Sequence, residues 1–228
     1  LIPHVLFPLP RGYHSPVHRT RIKFCGITRP TDAEEAANAG ADAIGLIFYT
    51  RSSRHVTIPQ GREILRALPP MVSPVGLFVD ASVQEILQTS GELNLRTVQL
   101  HGSERPDILA SLVDLTIIKA IRCTAANLAA LDSWKHAAGI LLETAGTPEP
   151  GGSGVANDWA LVASVLESSP SHPPLIAAGG LTPENVAQMM RRIRPWAVDV
   201  STGIEESPGV KSIEKMRKFA AAVRAADS

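Results

Sequence analysis

Eight short apolar runs recur along this chain, beginning near residues 22, 43, 75, 97, 116, 139, 175 and 197, most of them about 20 residues apart. The runs are continuous rather than alternating, as in Ala43 to Phe48, which suits parallel strands buried on both faces. Helix-length segments with their own start and stop signals lie between them. Thr31-Asp-Ala-Glu34 and Ser82-Val-Gln-Glu85 read as capping boxes, and Gly40 reads as a helix stop. Ser103 reads as an N-cap after Gly102, and Thr182 as an N-cap with Pro183 at the first helical position. Repeating strand then helix eight times leaves few topologies. The expected fold is α/β, a closed (β/α)8 or TIM barrel forming a single domain over residues 21–228. An open doubly wound sheet is the alternative, weakened because no Gly-x-Gly-x-x-Gly follows the first strand.

A chain of 228 residues with 44% hydrophobic content can bury the core such a barrel needs. The formal net charge is zero, so neither nucleic acid nor an acidic membrane is expected as a partner. No apolar run approaches the roughly 18 residues of a membrane span. Cys25 and Cys123 are too few for a disulfide scaffold and suit a reducing, cytoplasmic setting. Residues 1–20 are interrupted by Pro3, Pro8 and Pro10 and read as a flexible N-terminal extension outside the fold. No Cys-x-x-Cys spacing and no Gly-x-Ser-x-Gly elbow occur, and no metal constellation is expected.

In a barrel the chemistry gathers where the strands end. Cys25 closes the first strand beside Gly26; it is either a buried apolar thiol or a base. Glu143 closes the sixth, where a carboxyl can be a surface group or a general acid. Gly179 and Gly180 follow strand seven, and Ser201, Thr202 and Gly203 follow strand eight. There backbone amides can hold a phosphate. Arg54, after strand two, could clamp a carboxylate or merely be solvated. Gln99 and His101 share one face of strand four, and Asp199 sits in an apolar strand where it needs a partner or a ligand. Thr144 to Val155 is the longest irregular segment, with Gly152, Ser153 and Gly154 as an expected active-site loop.

Taken in order, Lys23-Phe-Cys-Gly-Ile-Thr28, Ser53-Arg54, Val98-Gln-Leu-His-Gly102, Gly151-Gly-Ser-Gly154 with Asp158-Trp159, Ala178-Gly-Gly-Leu181 and Asp199-Val-Ser-Thr-Gly-Ile-Glu205 resemble the phosphoribosylanthranilate isomerase family. The resemblance implies a cofactor-free Amadori rearrangement of N-(5-phosphoribosyl)anthranilate, a phosphorylated small molecule, to the 1-(2-carboxyphenylamino)-1-deoxyribulose 5-phosphate. It implies Cys25 as general base, Glu143 as general acid, Arg54 on the anthranilate carboxylate, and the loops after strands seven and eight on the phosphate. Gln99, His101 and Asp199 are expected to meet the substrate. A monomer or homodimer is expected. The chain departs from the family in having Glu143 for the usual Asp, Val155 for a basic loop residue, and Thr202 for the more usual Ser. A barrel that binds phosphorylated ligands without turnover, and a related sugar-phosphate isomerase, are the alternative readings.

Overall fold

All eight apolar runs form strands in the computed structural model, which describes residues 19–129, 131–143, 159, 162–163 and 172–227. They are β1 (Arg21–Cys25), β2 (Ala43–Ile47), β3 (Ser73–Phe78), β4 (Thr97–Leu100), β5 (Thr116–Arg122), β6 (Gly139–Glu143), β7 (Leu175–Ala177) and β8 (Ala197–Val200). Each pairs with its sequence neighbours, and β8 returns to β1, closing a barrel. At the closure, Lys23 faces Ala43 on one side and Asp199 on the other.

The pleat sorts the strand residues into two sets. One set points outward to the helices α1 (Pro30–Ala39), α2 (Ile58–Ala67), α3 (Val83–Leu93), α4 (Ala125–Ala129), α5 (Val186–Ile193) and α6 (Ile213–Asp227). Phe24, Ile44, Leu46, Val198 and Phe219 anchor the shell on the β1–β2–β8 side. Val98, Leu100, Ile140, Leu142 and Ile86 anchor the shell across β4–β6. The second set points inward, where Ala120, Leu141, Ile176, Ala178 and Ala197 form a small apolar cluster. Because both strand faces are covered, the sequence shows unbroken apolar runs rather than alternation. Among the described residues, no helix is long and apolar enough to cross a membrane.

Three helix-start signals resolve differently from the sequence reading. Helix α1 begins at Pro30 after Arg29, with no side-chain cap, so Thr31 and Glu34 lie inside it. Proline fits the first helical position, and the Arg29 guanidinium grips Asp32 at 3.0 and 2.6 Å, which draws the start ahead of Thr31. Ser103 caps no α-helix. Its amide donates to Asp80 Oδ1 at 2.6 Å, and the chain continues into a 3-10 helix at Pro106–Ser111. Thr182 stands one turn before α5: its amide donates to Asn185 Oδ1 at 2.8 Å, and Asn185 becomes the residue before the helix. The Ser82–Glu85 box does form, and Thr57 with Gln60 makes another at α2.

Residues 1–18 of the expected extension lie outside the described residues, as do Gly152, Ser153 and Gly154 of the expected active-site loop. Thr20 belongs to the barrel instead. Its amide and hydroxyl both donate to the Asp227 carboxylate at 2.7 Å, tying the chain's entry to the end of α6.

Phe24 is fully buried and meets Phe219 edge-on at 6.1 Å between ring centroids, joining the closing strand to α6. Phe24→Ala should cost about 3–5 kcal/mol of unfolding free energy, read as a lower urea midpoint at unchanged slope.

Candidate active site at the barrel mouth

Eight parallel strands in one barrel bring all their C-terminal ends to one rim. β1 delivers Cys25 there, β6 delivers Glu143, and His101 follows β4 directly. Arg54 arrives from the loop after β2, Gly179 and Gly180 from the loop after β7, and Asp199, Ser201, Thr202 and Gly203 from β8 and its loop. All of these line one pocket, which opens to solvent. Ile47, Leu77, Tyr49 and Val79 pack with Cys25 as its apolar wall.

The Cys25 thiol is 4% exposed. Burial pushes its pKa up; the Lys23 ammonium draws it back, Asp199 pushes it up again, and Lys211 draws it back. Lys23 lies two residues earlier on the same inward face, with its Nζ 2.8 Å from Asp199 Oδ1. One oxygen of Asp199 is therefore committed to this buried partner, although Asp199 also reaches the pocket wall.

Gln99, expected to meet the substrate, is fully buried and is not among the residues that line this pocket. The pleat turns it into the barrel one step below His101. Gln99 Nε2 stands 2.8 Å from His101 Nδ1. An amide donor there leaves the imidazole proton on Nε2, which is 2.8 Å from Glu143 Oε2. This approach is close but not aligned as a hydrogen bond, and among the described residues His101 Nε2 and Gln99 Oε1 have no hydrogen-bond partner. Glu143 also has Arg122 Nε at 3.9 Å from its other oxygen.

Arg54 does not stand as a free fork. Its Nε and Nη2 each donate to a Glu205 oxygen at 2.7 Å. Glu205 Oε1 accepts as well from Lys211 Nζ at 2.8 Å and from the Gly209 amide at 3.3 Å. Burial works to raise the Glu205 pKa, but Arg54 and Lys211 outweigh it and hold the carboxyl below the usual carboxylate value. Glu205 and Lys211 were absent from the sequence-based site. They sit on a hairpin after β8, β9 (Glu205–Ser207) and β10 (Val210–Lys211), whose strands are too short to show periodicity. The turn pair Pro208-Gly209 was the available signal.

The loops after β7 and β8 touch. A Cβ on Gly203 would lie 1.9 Å from the Leu181 carbonyl oxygen, so only glycine permits this approach. Gly179 and Gly180 both take positive φ, at 90° and 64°. The two loops form one backbone-rich wall beside Ser201 and Thr202.

A family model described as N-(5'phosphoribosyl)anthranilate (PRA) isomerase matches residues 22–222. The chain is similar to the N-(5'-phosphoribosyl)anthranilate isomerase of Pseudomonas fluorescens, at 48% identity over 90% of this chain and 98% of the relative. It is similar in structure to the phosphoribosyl anthranilate isomerase of Thermotoga maritima, with a TM-score of 0.84 and 36% identity, covering 90% of this chain and 99% of that one. A phosphoribosyl anthranilate isomerase solved with reduced 1-(o-carboxyphenylamino)-1-deoxyribulose 5-phosphate matches with a TM-score of 0.80 and 32% identity, over 90% of this chain and 99% of that one.

Gly203→Ala should force the two loops apart and cost about 1–3 kcal/mol of stability in urea unfolding. The depressed Glu205 pKa makes a second expectation. Its ionised form contributes stability that is fully present above the unfolded value of 4.5 and is lost as pH falls through the lower folded value. The Tm gap between wild type and Glu205→Gln should be widest near neutrality and narrow as pH drops below 4.5.

Proposed function

The chain belongs to the phosphoribosylanthranilate isomerase family and is an isomerase of tryptophan biosynthesis, and we propose how its barrel-mouth residues divide the reaction. N-(5-phosphoribosyl)anthranilate is rearranged to the 1-(2-carboxyphenylamino)-1-deoxyribulose 5-phosphate. Glu143 gives a proton to the ribose ring oxygen, and the ring opens to a Schiff base. The Cys25 thiolate takes the C2 proton, and the resulting enolamine tautomerises to the ketose. Each turnover leaves a proton on Cys25 and takes one from Glu143, and exchange with solvent resets both.

The observation that carries this reading is that one pocket is lined by Cys25, Glu143, Arg54 and the two glycine-bearing loops together. A substrate with a carboxylate, a ribose and a phosphate needs all of these groups within reach of one site. Arg54 has five N–H donors, and Glu205 uses two of them, so the others remain to receive the anthranilate carboxylate. Backbone amides at Gly179, Gly180 and Gly203, with the hydroxyls of Ser201 and Thr202, suit the phosphate. Lys23 and Lys211 favour the thiolate that burial opposes. Glu143 carries one methylene more than the family's aspartate, and His101 Nε2 and Arg122 Nε stand 2.8 and 3.9 Å from its two oxygens. Both cysteines are free, which supports a reducing, cytoplasmic setting.

Turnover of phosphoribosylanthranilate generated in situ, followed by loss of anthranilate-type fluorescence, tests the assignment. Wild type should turn over, and Cys25→Ser and Glu143→Gln should each lose about 100-fold or more in kcat while still binding the reduced product. Full activity in either variant removes that residue from its role. A silent wild type beside an active Glu143→Asp would instead mean a barrel that binds without catalysing.

A further inference from the structure

We infer that Glu205 is the positioning residue that fixes Arg54, and with Lys211 it sets the spacing between the carboxylate end and the phosphate end of the site. The inference deepens the proposed function and rests on Arg54 receiving the substrate's carboxylate.

Arg54 comes from the loop after β2 on a long side chain that must cross the end of β1. It passes over Gly26, where a Cβ would lie 2.6 Å from Arg54 Cδ and 3.1 Å from Ser201 Oγ. A stem that merely crosses a glycine does not settle where its guanidinium points. Glu205 does: its side chain is 4% exposed, and its two oxygens meet Nε and Nη2 in a fork at 2.7 Å each. The paired bonds hold the guanidinium plane, so the remaining N–H groups have fixed directions before any ligand arrives.

Glu205 is in turn held from the other side. Lys211, fully buried, donates to Glu205 Oε1 at 2.8 Å and reaches the Ser201 carbonyl at 3.2 Å and the Ser201 hydroxyl at 3.4 Å. Ser201 belongs to the loop assigned to the phosphate. A continuous brace thus runs from Arg54 through Glu205 and Lys211 to Ser201. Both Glu205 oxygens are occupied by protein donors, so Glu205 acts on substrate only through Arg54.

A double-mutant cycle on Arg54 and Glu205 tests this, reading KM, kcat and binding of reduced 1-(o-carboxyphenylamino)-1-deoxyribulose 5-phosphate, with inorganic phosphate as the probe of the other end. Glu205→Gln should raise KM and weaken the reduced product by about tenfold, leave kcat within about threefold, and leave phosphate binding unchanged. On an Arg54→Ala background the same change should alter KM by less than about twofold. Glu205→Gln/Lys211→Met removes the ammonium that the single variant leaves unpaired; this variant should recover Tm yet keep the raised KM. Normal KM in Glu205→Gln, an equal penalty on both backgrounds, or a parallel loss of phosphate binding would overturn the positioning role. Unchanged affinity for the reduced product in Arg54→Ala would instead overturn the carboxylate assignment beneath it.

Discussion

The seam between β1 and β8 is the constraint on which the rest of the structure depends. Lys23 and Asp199 face each other in register there, both buried, with a 2.8 Å contact. Desolvation offsets much of the attraction in a buried ion pair, so its value lies less in net stability than in selecting one arrangement. A slip of one residue in either strand would turn one of the two side chains toward the helices and leave both charges without their partner. The register that joins them also sets Cys25 two residues beyond Lys23 and Ser201 two residues beyond Asp199. Cys25 and the loop that begins at Ser201 are therefore positioned by the same contact that closes the barrel.

Three groups at the mouth have partners set behind them. Cys25 has Lys23 one pleat below, and His101 has Gln99 at 2.8 Å one pleat below. Arg54 has Glu205, held by Lys211. The front residue meets the pocket while the back residue fixes its direction or its charge. Lys23 with Asp199 and Arg54 with Glu205 and Lys211 are tolerated this far inside because they satisfy one another, whereas Gln99 Oε1 and His101 Nε2 stay without a hydrogen-bond partner among the described residues. The apolar inner cluster around Leu141 and Ile176 supports this layer without competing for its hydrogen bonds.

Local pattern carried much of the architecture. A parallel strand covered on both faces has to be an apolar run, so all eight strands were legible, as were the ends where Cys25 and Glu143 stand. The box at Ser82–Glu85 was legible because both of its partners lie within four residues. Thr31–Glu34 has the same spacing and fails, since Pro30 and the Arg29–Asp32 contact start the helix earlier. Gln99 shares its strand face with His101, as alternation requires, but alternation does not say that one residue is sealed inside while the other reaches the pocket.

The sequence by itself determined the strand count, the barrel, and the residue types at the rim, because strand and helix periodicities are written within a few consecutive residues. Only the tertiary structure decided what those residues touch. Lys23 and Asp199 are 176 positions apart, and Arg54 and Glu205 are 151 apart. Their meeting depends on the register at closure and on a short hairpin with too few residues to carry a period. Closure of the barrel turns distant positions into neighbours, and no local pattern encodes which distant carboxylate will face a given cation.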